Sequence, residues 1–135
     1  MGEIMKINRS VVRKNYNDCW CTAISKALEI DYDKVYKDFK LFKHSKGGMD
    51  LKIIEAYLKN KDYEAISVDL DLKAALFIYN TKENAHTIFS LITEDEENAH
   101  IIYVKDMIIY DDIKDFEYDE FVNQYNVNMV FVKKQ

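Results

Sequence analysis

Residues 100–112 read HIIYVKDMIIYDD, and this stretch decides how the second half of the chain folds. Two alternating apolar runs, rich in Ile and Tyr, flank one polar Lys-Asp dipeptide, which is typical of a β-hairpin. If that dipeptide forms a two-residue turn, His100 stands directly opposite Asp111 on the same face of the sheet. A three-residue turn shifts the register and places Asp112 there instead.

The rest of the chain divides into a helical first half and a second half rich in strands. Apolar spacing of three and four residues predicts a helix from Cys19, a second after a cap at Asp31 or Asp33, and a third from Asp50 to about Lys59. Alternating or β-branched runs predict strands at 64–70, 87–93, 100–105, 107–112 and 127–133, with short helices at 72–79 and 119–125. We therefore expect an α+β fold in which N-terminal helices pack on an antiparallel sheet, as a single domain over 1–135.

Composition limits the classes of partner. The chain has 135 residues, of which 48% are apolar, enough for one hydrophobic core. Its net charge is −5 and its basic residues are interleaved with acidic ones, so we expect no nucleic acid partner. No apolar run has the length of a membrane span, and we expect no membrane association and a cytoplasmic location.

The segment NYNDCWCTAI at 15–24 holds the only two cysteines of the chain, Cys19 and Cys21. Residues two apart on a helix point about 200° apart, so the two thiols are not expected to share a metal ion or a disulfide. A zinc site needs further ligands at suitable spacing, and the three histidines form no close pair. We expect no metal and no other cofactor.

Two interpretations of the cysteines remain open. Free cysteine is usually a small core residue, and both thiols fit that description. Alternatively, Cys19 is a nucleophile, because the first residue of a helix lies at the positive end of the helix dipole, which favours the thiolate. Cys21 lies further inside the helix and lacks that position.

The hairpin supplies candidate partners for a nucleophile. A helix packed on the face that carries His100 would bring its N-terminal thiol to the imidazole, with Asp111 behind it and Asp112 in reserve. The thiol, base and carboxylate then follow in the chain order Cys, His, Asp. The other two histidines, His44 and His86, are expected to be incidental.

These stretches are similar to a known family. NDCWCTAISKAL resembles the catalytic helix of papain-like cysteine peptidases, in which the nucleophile opens a long helix and is often followed by Trp. HIIYVKDMIIYDD resembles their His strand and the following strand, which carries Asn or Asp. Over roughly 15–112 the chain is similar to small single-domain papain-like proteins of bacteria and phages.

The resemblance implies a papain-like α+β fold and a catalytic triad of Cys19, His100 and Asp111. The larger peptidases have a Gln six residues before the nucleophile as a donor to the oxyanion, and that position here is Arg13. Asn15 and Asn17 are the candidate amide donors in its place.

Two functions follow as expectations. The first is a thiol hydrolase, peptidase-like or isopeptidase-like, that cleaves an amide in a peptide or protein through an acyl-thioester intermediate on Cys19. Acyl transfer to a nucleophile other than water uses the same triad. The second is a catalytically silent papain-like binding module, such as a phage accessory protein that inhibits a host protein in the host cytoplasm. The oligomeric state is not readable from the sequence.

Overall fold

The structure is a computed structural model that describes residues 6–8, 19–39, 50–80, 86–94, 99–105, 108–110 and 123–134. Its helices within these ranges are α1 (Cys19–Leu28), α2 (Tyr32–Asp38), α3 (Leu51–Lys59) and α4 (Leu72–Asn80). Its strands within the same ranges are β1 (Lys6–Asn8), β2 (Tyr63–Asp71), β3 (His86–Thr93), β4 (Ala99–Lys105), β5 (Ile108–Tyr110) and β6 (Tyr125–Lys133). The expected α+β class is confirmed.

Aspartate side chains cap the starts of three helices. A side-chain oxygen of Asp31 accepts a hydrogen bond from the backbone N–H of Asp33 at 3.1 Å, and α2 begins one residue after the cap. Asp50 caps α3 in the same way, and Asp71 accepts a hydrogen bond from the third residue of α4 at 2.7 Å. Each cap satisfies an N–H group that the helix itself leaves without a partner.

Helix α1 ends at a residue whose backbone has a left-handed conformation. Glu29 follows the last helical residue with φ of 55°, and the N–H of Ile30 donates to the carbonyl of Ser25 at 3.2 Å. This pairing is that of a Schellman motif, in which glycine is the residue usually found at the left-handed position. The turn directs the chain straight into the cap of α2.

The strands form one six-stranded sheet in the order β1-β5-β4-β3-β6-β2. β4 pairs antiparallel with β3 and with β5, and β6 lies between β3 and β2, antiparallel to both. β1 is parallel to β5 at one edge, so the sheet is antiparallel except for this strand, which the sequence did not predict.

Helices cover both faces of the sheet, and each face has its own core. The first face, which we call the three-helix face, packs against α1, α2 and α3. Its buried core includes Trp20, Ile24, Val35, Phe39, Ile54, Leu58, Tyr63, Ile88, Tyr103 and Phe131. The second face, which we call the α4 face, packs against α4. Its buried core is Leu72, Ala75, Leu76, Phe89, Leu91, Ile102, Val104, Ile109, Tyr125, Val127 and Val130.

Alternation along the strands explains why the two cores are separate. Ile88 belongs to the three-helix face and Phe89 to the α4 face, because successive side chains of a strand leave opposite faces. A β-bulge in β6 adds Asn128 relative to β3, and Val127 and Val130 consequently both reach the α4 face although they are three residues apart.

Most expected elements are confirmed to within a residue or two, and one boundary is corrected. Tyr125 begins β6, whereas the sequence predicted a helix over 119–125; only 123–124 are described as helical, and 119–122 lie outside the described residues. The strand expected at 107–112 is confirmed over Ile108–Tyr110, and its remaining residues lie outside the described ones.

Candidate functional site

The two cysteines occupy different environments on α1. Cys19 is the first residue of α1 and is partly exposed. Cys21 is fully buried, and its thiol donates to the backbone carbonyl of Tyr32 at 3.6 Å, which ties α1 to the start of α2. Both residues remain thiols, and Cys21 is a core residue of the three-helix face.

His100 lies in the core of the α4 face. Its side chain is 6% exposed, and its ring stacks on that of Tyr125 with a centroid distance of 6.0 Å. Its antiparallel partner on β3 is Leu91, which is fully buried in the same core. The position of His100 is therefore that of an enclosed core residue.

The structure places α1 on the other face of the sheet. Ile101 and Tyr103 belong to the core that α1 covers, whereas Ile102 and Val104 belong to the core under α4. His100 shares the alternation of the second pair. The expectation that α1 packs on the face of His100 is therefore wrong, because the sheet lies between the helix and the imidazole.

The register of the hairpin also differs from the expected one. Val104 pairs with Ile109 and Lys105 with Ile108, so the two residues between the paired strands are 106–107 rather than the expected Lys-Asp dipeptide. Both expected registers of the hairpin, the one from a two-residue turn and the one from a three-residue turn, are therefore wrong for the paired residues of β4 and β5.

Four predicted site residues lie outside the described residues. They are Asn15, Asn17, Asp111 and Asp112. Their roles as oxyanion donors and as the carboxylate of the triad stay predictions.

A histidine that sequence reasoning had set aside lies on the same face as α1. His86 begins β3 opposite Lys105, and its Nδ1 shares a hydrogen bond of 2.8 Å with the hydroxyl of Tyr103. Tyr103 in turn pairs with Tyr110 on β5, with ring centroids 5.5 Å apart. The sequence contains one signal for this position. The β-rich runs HTIFSLIT and AHIIYVK can pair as neighbouring strands, which the hairpin of β4 and β5 alone does not reveal.

These polar strand residues face the C-terminal end of α1 across a cavity. The cavity has a volume of about 420 Å³, and Lys26 and Glu29 line it from the helix side. The ammonium group of Lys26 lies 5.0 Å from the centre of the Tyr110 ring, within the range of a cation–π contact. The cavity is thus at the opposite end of α1 from Cys19.

A charged cluster joins α2 to α3. Asp38 accepts hydrogen bonds from Lys34 at 2.8 Å and from the hydroxyl of Tyr57 at 3.0 Å. The bond from Lys34 is the main cause that lowers the pKa of Asp38. Burial, followed by the bond to Asp38, raises the pKa of Tyr57 to about 12. The cluster connects the two helices. Its residues are distant from both Cys19 and His100 in the sequence.

The described ranges contain neither a metal-binding cluster nor a membrane-spanning helix. No group of three or more His, Cys, Asp or Glu side chains there is arranged to hold a metal ion. None of the helices in those ranges has the length and apolar character needed to cross a membrane.

Comparison with known proteins adds no family. No protein-family model matches the chain, and no curated protein matches it.

Proposed function

We propose that this chain is a catalytically silent binding module on a papain-like scaffold that contacts a partner protein. The observation that carries the proposal is that α1 and His100 belong to opposite faces of one sheet. A thiol–imidazole pair needs the two groups within hydrogen-bond reach, about 3 Å, for the proton transfer. A buried His100 stacked on Tyr125 serves the core instead.

The surface of α4 favours a protein as the partner. Phe77 and Ile78 are adjacent, large and apolar, and they are 73% and 51% exposed. Contiguous exposed apolar patches are a feature of contact surfaces, whereas single exposed apolar side chains are ordinary. The net charge of −5 favours a partner with positive charge. The resemblance to bacterial and phage proteins makes a host protein of the cytoplasm the partner that we expect.

Affinity capture with matched variants tests this proposal. We expect one protein to be retained by the wild type and equally by Cys19→Ala, because binding does not use the thiol. Phe77→Ser should reduce retention, whereas Ala56→Ser, at an exposed position of α3, should leave it unchanged. Loss of the partner with Cys19→Ala would contradict a thiol-independent module.

A thiol hydrolase is the second candidate, and one observation favours it. Cys19 is the first residue of a ten-residue helix and is partly exposed, whereas Cys21 is enclosed. In this function His100, oriented by Asp111, takes the thiol proton as Cys19 attacks an amide carbonyl; the C–N bond breaks, the amine leaves with that proton, and water then hydrolyses the acyl-thioester. This function requires His100 to reach Cys19, which the opposite faces of α1 and His100 oppose.

Labelling by an electrophile separates the two candidates. A hydrolase requires one thiol that reacts fast with iodoacetamide below neutral pH, with the reaction lost in Cys19→Ala and slowed in His100→Ala. A binding module predicts an ordinary rate that His100→Ala does not change. Mass spectrometry of the labelled peptide identifies which cysteine reacts.

A further inference from the structure

The cavity at the C-terminal end of α1 has the chemistry of a ligand site. We propose that it binds a small organic anion, in which a carboxylate or phosphate group is carried on a planar ring. Its volume of about 420 Å³ lies in the range of small-molecule sites and exceeds what a bare inorganic anion fills. The polar residues that line it and carry the argument are Lys26, Glu29, His86, Tyr103, Lys105 and Tyr110.

Sheet register brings the strand-side groups together. His86 is the antiparallel partner of Lys105, and Tyr103 is the partner of Tyr110, so each pair shares one face of the sheet. The hydrogen bond between His86 and Tyr103 joins the two pairs diagonally at 2.8 Å. The wall is therefore built on three neighbouring strands, and its position does not depend on a loop.

The charge of the lining favours an anion. Two lysines, Lys26 and Lys105, line the cavity together with one acidic residue, Glu29. This excess of positive charge occurs in a chain whose net charge is −5. A ligand carboxylate or phosphate can accept hydrogen bonds from a lysine ammonium group, and such charge-assisted bonds are stronger than neutral ones.

The C-terminal end of α1 opposes an anion, and two features reduce this effect. Helix C-termini carry partial negative charge on carbonyl groups that lack partners. Here the carbonyl of Ser25 accepts from the N–H of Ile30 at 3.2 Å, and the hydroxyl of Ser25 donates to the carbonyl of Ile30 at 2.6 Å. Lys26 in the last turn of the helix further offsets the dipole.

The aromatic side chains favour a ligand that carries a planar ring. Tyr103 and Tyr110 lie side by side with their ring planes 30° apart. Lys26 lies over the ring of Tyr110, so a ring that enters the cavity meets an aromatic surface next to a cation. Glu29 is then available to a hydroxyl or amine substituent of the ligand.

This site is independent of the proposed protein partner. The cavity lies on the three-helix face, whereas Phe77 and Ile78 belong to α4 on the other face. Failure of one proposal therefore leaves the other unaffected, and the two experiments use different variants.

Titration of the whole chain with small aromatic probes, followed by nuclear magnetic resonance, tests the inference. The probes are benzoate and phenyl phosphate as anions, benzamide as the neutral analogue and benzamidine as the cation. We expect saturable shifts for at least one anion at the resonances of His86, Tyr103 and Tyr110. Benzamide and benzamidine should bind at least about tenfold more weakly, because they lack the charge-assisted hydrogen bonds.

Lysine variants locate the binding. Lys26→Gln and Lys105→Gln should each weaken binding of the anion by up to about tenfold. Lys52→Gln changes the net charge equally but lies on α3, outside the cavity lining, and should leave binding unchanged. All three positions are at least partly exposed, and a melting curve for each variant verifies that it is folded.

Several results would overturn the inference. Absence of saturable binding by both anions at millimolar concentration is one, and preferential binding of benzamidine is another. Equal weakening by Lys52→Gln would show that only the overall charge of the chain matters.

Discussion

Replacing His100 by alanine separates a structural histidine from a catalytic one. The imidazole is 6% exposed and stacks on Tyr125 in the core under α4. Its removal leaves a cavity beside Leu91, which is fully buried on the neighbouring strand. Truncation of a buried side chain of this size costs about 2–3 kcal/mol of unfolding free energy. For a domain of this length the melting temperature should fall by about 8 °C.

Two measurements on the same variant check this prediction. Urea or thermal unfolding gives the change in stability, and alkylation by iodoacetamide gives the reactivity of Cys19. We expect the stability to fall while the alkylation rate stays within about twofold of wild type, because the sheet separates the thiol from the imidazole.

His86→Ala is the matched control. This histidine is only partly buried and shares one hydrogen bond with Tyr103, so we expect a loss of about 1 kcal/mol. The reasoning is refuted if His100→Ala retains the stability of the wild type but alkylation of Cys19 slows at least about tenfold, as loss of a catalytic base would require.

Three further predictions concern other parts of the molecule. Glu29→Gly should raise the free energy of unfolding by up to about 1 kcal/mol, because glycine adopts φ of 55° without a side-chain penalty. Urea unfolding measures this gain, and Glu29→Ala should not show it. Asp50→Ala should lower stability by about 1 kcal/mol through loss of the α3 cap, and Asp50→Ser should retain most of it. Tyr57→Phe should remove the tyrosine with a pKa of about 12 from an ultraviolet titration. Because the pKa of Tyr57 is raised in the folded state, its contribution to stability is complete below pH 10 and is lost as the pH rises towards 12. A wild type whose stability stays constant between pH 10 and 12 would contradict the assignment.

Local patterns in the sequence predicted the individual elements well. The spacing of Trp20, Ala23 and Ile24 defines the buried side of α1, and the caps at Asp31 and Asp50 mark where α2 and α3 begin. These features depend on residues within one or two helical turns of each other, and they can therefore be read along the chain.

Strand order was beyond such local patterns. β6 is last in the chain but lies between β3 and β2, and β1 joins the opposite edge in parallel with β5. Strand pairing between distant segments depends on which faces can be buried together, and the spacing within a strand does not contain that information.

The candidate site was likewise predicted from the sequence only in part. The sequence identified Cys19 as the first residue of a helix and distinguished it from Cys21, and the structure agrees with both points. The hairpin of β4 and β5 was also foreseen, but its turn was misplaced by one residue because Lys-Asp has no strong preference for a turn type.

By itself, the sequence determined the α+β class, the helix starts and the alternation of β4. The tertiary structure alone decided which face of β4 each helix covers, and it placed His100 under α4 and His86 on the face of α1. The physical reason is that both faces of a central strand are apolar here. Ile101 and Ile102 are equally suitable for burial, so only the packing of distant helices determines which side faces α1.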